Sequence, residues 1–254
     1  MESGLRNLEL SIENISVYML FHHEWLAVKK SLDSVLKHYP RSQIILGRDQ
    51  LEPEENKLLE NFTYQTVKSR SCMEKFVLLN RSGNGLEFFS EDDLLSIIKC
   101  HIERAFEVAN LAIHEFILFL EPDGFMRFKH VPNNDSDMET LVANKFSLEV
   151  IEFVGQVSEK PLNFEGWGFV VGYVRKSTIV EMHKWFFENQ DIVLELMRID
   201  RRFAYMDFAF PLLAHMSGAN VLVTNKVIEC NRNKFWRFSK KPMLHQFKPF
   251  HEVG

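Results

Sequence analysis

Residues 116–125 read FILFLEPDGF. Five apolar residues in a row have the length and composition of a strand buried on both faces. The run stops on Glu121-Pro122-Asp123-Gly124, where Pro, Asp and Gly each favour turn geometry. A buried strand that delivers carboxylates to its carboxyl end is where an α/β protein holds a cation or a polar ligand. Alone, the tetrapeptide also reads as an ordinary turn, so the surrounding chain has to decide between the two.

Upstream, ISVYMLF (15–21) is rich in β-branched and aromatic residues and reads as a strand. EWLAVKKSLDSVLKHY (24–39) follows with Trp25, Val28, Leu32, Val35 and Leu36 at helical spacing, and Pro40 stops it. QIILGRD (43–49) is a second strand, PEENKLLENF (53–62) has the proline and acids of a helix start, and YQTVKS (64–69) is a third strand. NRSGNG (80–85) is a turn. Ser90, with Asp93 three residues on, caps a long helix that leads to the 115–121 strand. Alternating strands and helices predict a largely parallel sheet covered on both faces.

Downstream of Gly124 the pattern weakens. RFKHVPNNDSDMETL (127–141) reads as a loop and SLEVIEFVG (147–155) as a strand with an alternating face. Residues 166–189 read as a glycine-led strand and then a helix. Residues 203–224 read as a helix stopped by Gly218 and then a strand, with Pro211 fitting only near a kink or an end. The tail carries Arg232, Lys234, Arg237, Lys240, Lys241 and Lys248 among Phe235, Trp236, Phe238, Phe247 and Phe250. It reads as a strap with aromatics packed on the sheet, or as a contact for a diphosphate or an anionic lipid surface.

Composition narrows the function classes. The chain has 254 residues, 46% of them hydrophobic, enough for one sizeable core. Its formal net charge of -5 argues against nucleic acid as a partner. Cys72, Cys100 and Cys230 are scattered and odd in number, which suits a reducing compartment. Without a secretory signal or an apolar run near the ~20 residues of a membrane span, a cytoplasmic protein is expected, with peripheral membrane contact through the basic tail as one option. Gly-x-Gly-x-x-Gly, Walker-type and Gly-x-Ser-x-Gly motifs are absent, which argues against dinucleotide, P-loop and α/β-hydrolase chemistry.

In element order, residues 13–230 resemble a GT-A-type glycosyltransferase, most like family 2. ISVYMLFHHEWLAVKKSLDSVLKHYPRSQIILGRD resembles that family's nucleotide-binding opening, and AIHEFILFLEPDG is similar to the strand carrying its Asp-x-Asp motif. GWGFVVGYVRKSTI resembles the glycine-led strand near the acceptor, and YMDFAFPLLAHMSGANV the helix that begins with the catalytic acid. The resemblance implies an α/β, GT-A-like (Rossmann-like), mostly parallel central sheet flanked by helices. It implies one domain over 1–230, with a variable acceptor region at about 125–165 and a basic, aromatic extension over 231–254.

Further implications of the resemblance are a nucleotide-sugar donor, a UDP-sugar, and a glycan or lipid-linked acceptor, joined by a metal-assisted, inverting transfer. Asp49 would reach the nucleoside, Glu121 the ribose, and Asp123 an Mn2+ or Mg2+ on the diphosphate. His22, or His23 beside it, would donate to a phosphate, His245 in the tail would be a third metal ligand, and Asp207 would be the general base, with Asp200 as a fallback. Trp167 suits either a sugar-stacking role or a core aromatic. His22 and His23 stand where the family has Pro and Asn, Glu121 replaces its first Asp, and Met206 takes the place of an acid. These departures keep a second expectation open: a non-catalytic nucleotide- or glycan-binding module on the same fold.

Overall fold

A computed structural model describes residues 14–21, 25–48, 57, 59–68, 86, 89–141, 144–158, 160–164, 166–167, 171–224, 226–229 and 240–245. In the first half, β1 (Ser16–Phe21), α1 (Trp25–Leu36), β2 (Gln43–Arg48), β3 (Tyr64–Lys68), α2 (Glu91–Leu111) and β4 (Phe116–Leu120) fall where period and capping put them. Ser90 closes the capping box with Asp93 and three acids fill the first turn of α2, so the helix start is fixed by side chain and dipole together. The predicted 53–62 helix and the 80–85 turn lie largely or wholly outside the described residues.

The second half adds β5 (Phe125–Met126), β6 (Met138–Leu141), β7 (Asn144–Lys145), α3 (Leu148–Val157), β8 (Gly166–Trp167) and β9 (Val171–Arg175). It continues with α4 (Lys176–Glu188), α5 (Gln190–Ile199), a 3-10 turn (Arg201–Ala204), α6 (Met206–Met216), β10 (Val221–Thr224), β11 (Val227–Glu229) and β12 (Met243–His245). Two expectations are corrected here. SLEVIEFVG is a helix: Ser147 caps it by accepting from the N–H of Val150, and Val150 and Val154, one turn apart, are the residues it buries. Leu148, which a strand would have turned inward, is 73% exposed. The segment 127–141 ends in a strand, β6, that pairs with both β9 and β10. Its inward charge, Glu139, hid the strand pattern. α5 had no sequence signal of its own, because only Asn189 separates it from α4.

The central sheet has seven strands in the order β10-β6-β9-β4-β1-β2-β3. All pairs are parallel except those of β9 with β4 and β6. Both faces are covered. Tyr18, Ile45, Ile117 and Phe119 point into a core with helices α2 to α6, while Val17, Met19, Ile44 and Leu118 point into a second core with α1. β12, β5 and β11 form a separate small sheet, and its Met126 and Met243 close the α1 side. Among the described residues no helix is long and apolar enough to cross a membrane. Cys100 is disulfide-bonded; its partner lies outside the described residues.

α6 runs through Pro211 instead of ending there. Proline has no N–H to give the carbonyl four residues back, so the helix forgoes one bond, to Asp207. Gly218, at φ 93°, then turns the chain out of the helix, a left-handed conformation that costs glycine little.

Glu139 and His130, 1% and 3% exposed, form a buried pair at 2.8 Å. Asn133 N–H donates to the other carboxylate oxygen, and the Tyr173 hydroxyl and Tyr39 hydroxyl both donate to the His130 carbonyl. Burial pushes the Tyr39 phenol up to about 12. For Glu139, burial raises the carboxyl pKa, but the hydrogen bond and charge of His130, the Asn133 N–H and Lys226 outweigh it and leave it below the ordinary value. A depressed carboxyl stabilises the fold above its unfolded pKa and loses that effect as pH falls through the folded one. Glu139→Ala is therefore expected to cost about 3 kcal/mol at pH 7. Urea unfolding should show the gap to wild type closing as pH drops below the ordinary glutamate range.

Candidate active site

The chain passes from β1 to β2 and β3 on one side, then returns to place β4 on the other side of β1. The direction of winding reverses between β1 and β4, and ligands of open α/β sheets bind outside the carboxyl ends of the strands at such a reversal. β4 supplies Glu121, Pro122 and Asp123 directly at that rim, all three half-buried. The corner is closed by the Gly124 N–H donating to the Glu121 carbonyl at 2.9 Å. Gly124 itself is buried, and a Cβ there would lie 2.4 Å from Leu120 Cδ1 and 3.1 Å from the Glu121 carbonyl oxygen.

The small sheet brings a distant segment to the same corner. β12 runs antiparallel to β5, with Met243 opposite Met126 and Leu244 opposite Phe125. β5 begins directly after Gly124, and β12 ends at His245, one residue past these pairs. β11 runs parallel to β12 and sets Glu229 beside His245. The pairing of β5 with β12 thus joins the chain just after Asp123 to the segment that ends at His245; the side chain of His245 lies outside the described residues.

Asp207 reaches the rim by another route. α6 connects through Gly218 to the start of β10, so its amino end lies towards the carboxyl ends of the parallel strands. The rings of Phe210 and Phe119 touch, with centroids 6.1 Å apart, tying the second turn of α6 to the end of β4. Asp207 is half-buried in the first turn. Arg202 forks onto Asp200 at 2.6–3.1 Å, and Arg201 donates to the carbonyls of Leu86 and Phe89. Asp200 accepts that fork and caps the 3-10 turn.

Asp49, His22 and His23 lie outside the described residues, as do tail residues 231–239 and 246–254. Asp49 follows β2 directly and His22 follows β1 directly in sequence. Trp167 closes β8, whose backbone pairs with β7 and packs against α6. Among the described residues no group of three His, Cys, Asp or Glu side chains is assembled for a metal. A hard cation on a diphosphate needs less: one or two carboxylates, with substrate oxygens and water completing the shell. Asp123, half-buried at the rim, fits that demand.

The architecture is that of the GT-A glycosyltransferases. An active-site mutant of LgtC matches with a TM-score of 0.52 at 10% identity, over 91% of this chain and 86% of that one. The galactosyltransferase LgtC in complex with donor and acceptor sugar analogues gives 0.48, again at 10% identity, over 91% and 86%. The glycosyltransferase GlyE of Streptococcus pneumoniae TIGR4 gives 0.47 at 10% identity, over 92% of this chain and 54% of GlyE. This chain thus spans about half the length of GlyE. No protein-family model and no curated protein matches the amino-acid sequence.

Gly124→Ala is expected to force Leu120 or the corner to move. The cost should be about 1–3 kcal/mol by urea unfolding, the usual range for overpacking, and an unchanged midpoint would contradict the close approach described above.

Proposed function

We propose that this protein transfers a sugar from a nucleotide-sugar donor, a UDP-sugar, to a glycan or lipid-linked acceptor with the help of Mn2+ or Mg2+. One observation carries the reading: Glu121 and Asp123 leave the sheet at the reversal between β1 and β4, and the β5 strand that follows them pairs with β12, which ends at His245. Asp123 holds the cation, with His245 as a further ligand, and Glu121 accepts hydrogen bonds from the ribose. Asp49 holds the nucleoside and His22 donates to a phosphate. When bound, the cation offsets the negative charge that grows on the departing diphosphate.

In the transfer, the bond between the anomeric carbon and the diphosphate oxygen breaks and the acceptor oxygen bonds to that carbon. Asp207 takes the acceptor hydroxyl proton. Inversion at the anomeric carbon requires such a base, so the configuration of the product, read by NMR, tests this role directly. The departures at Glu121 and Met206 support a second reading, a nucleotide- or glycan-binding module without turnover.

Asp123→Ala is expected to lower turnover of the active donor by a hundredfold or more, within the range for loss of transition-state charge stabilisation. Calorimetric titration with UDP should show binding strengthened by Mn2+ in wild type and not in the variant. Near-normal turnover of Asp123→Ala would remove the metal assignment, and binding without turnover of any donor would establish the module instead.

A further inference from the structure

α1 docks on the sheet through Trp25, Val28, Leu32 and Val35, all buried, which is sufficient to hold an amphipathic helix in place. Two hydroxyls on its buried side serve no such purpose. Ser31 is 0% exposed and Ser34 5% exposed. Serine weakens a helix interior and a buried hydroxyl is costly unless it is hydrogen-bonded. Both hydroxyls are bonded, and both reach across more than 90 residues of chain. Ser31 Oγ donates to the Gly124 carbonyl at 2.6 Å. Ser34 Oγ accepts from the Met126 N–H at 3.0 Å and donates to the Ser31 carbonyl at 2.6 Å.

We propose that Ser31 and Ser34 form a clasp that positions the Glu121–Gly124 corner for its ligand. The bonded groups stand immediately before and after Phe125. They fix the end of the corner that the Gly124–Glu121 bond does not. They also fix β5, and β5 sets the register of β12. One helix thereby orients Asp123 and the strand that arrives beside it. Ser31 and Ser34 touch no ligand and act through backbone alone. The inference rests on the sugar-transfer reading for what the corner binds; the clasp itself is a property of the described residues.

The test uses the full chain with Ser31→Ala and Ser34→Ala, and Ser90→Ala as a control that removes the α2 capping box without touching the α1 side. Amide hydrogen exchange over residues 121–126 is measured first, without metal. Loss of the clasp is expected to speed exchange of the Met126 amide in Ser34→Ala, and of the corner in Ser31→Ala, by about tenfold or more. Ser90→Ala should leave this segment at the wild-type rate even where its melting point falls. Ser34→Thr keeps a hydroxyl and should keep exchange slow. Corner exchange unchanged in both alanine variants, or equally fast in Ser90→Ala, overturns the clasp. Mn2+ uptake in the presence of UDP is measured second. About tenfold weaker uptake in Ser31→Ala is expected, since small misplacements of a positioned group are costly, and wild-type uptake there overturns the positioning role. A wild-type protein that takes up no Mn2+ with UDP removes the sugar-transfer reading instead, and the clasp is then judged by exchange alone.

Discussion

β4 lies in the middle of the sheet and all five of its residues are buried. A strand sealed on both faces has nowhere to hold a charge along its length, because an unpaired ionised group in that interior is far too costly. Position 121 is the first at which the chain can present a carboxylate. The corner that follows is tightly determined. Pro122 fixes its own backbone, Gly124 has no room for a side chain, and two serines from α1 hold the exit. The location of the candidate site follows from these constraints and from the reversal of winding beside β1.

The two faces of the sheet carry different tasks. Five helices on one side bury the larger core, and Phe119 passes that packing on to Tyr18 and Phe210 through edge-to-face contacts. Among the described residues, the other side is covered by one helix and a small sheet. That small sheet joins Phe125 and Met126, just after the corner, to Leu244 and Met243 near the end of the chain. It is short, with two to three residues per strand, so it depends on its anchorage to α1. Likeness to solved glycosyltransferases at 10% identity establishes the architecture; the assignment of chemistry comes from residues 121–124 and their neighbours.

The first half of the fold was legible because its signals are local. Val28, Leu32 and Val35 keep one helical face, Ser90 and Asp93 announce a start, and FILFL can only be buried. Where the structure departs, a tertiary partner outweighs the local pattern. Glu139 reads as a loop charge until His130 is seen to pair with it. Val150 and Val154 read as strand residues until Ser147 caps them into a helix. The carboxylates at 121 and 123 were visible in the sequence because they end an apolar run. The pairing of β5 with β12 spans only two residues and carries no periodic signal. Ser31 and Ser34 look like ordinary polar punctuation of a helix, since nothing in α1 itself shows that their partners are Gly124 and Met126.

The central claim is that the Glu121–Gly124 corner is the seat of a cation and a diphosphate. Anomalous scattering from crystals soaked with Mn2+ and UDP tests it most directly. The account predicts a manganese peak at coordination distance, roughly 2.2 Å, from the Asp123 carboxylate, with the diphosphate on the same ion. A manganese–UDP complex bound anywhere else on the protein would contradict it.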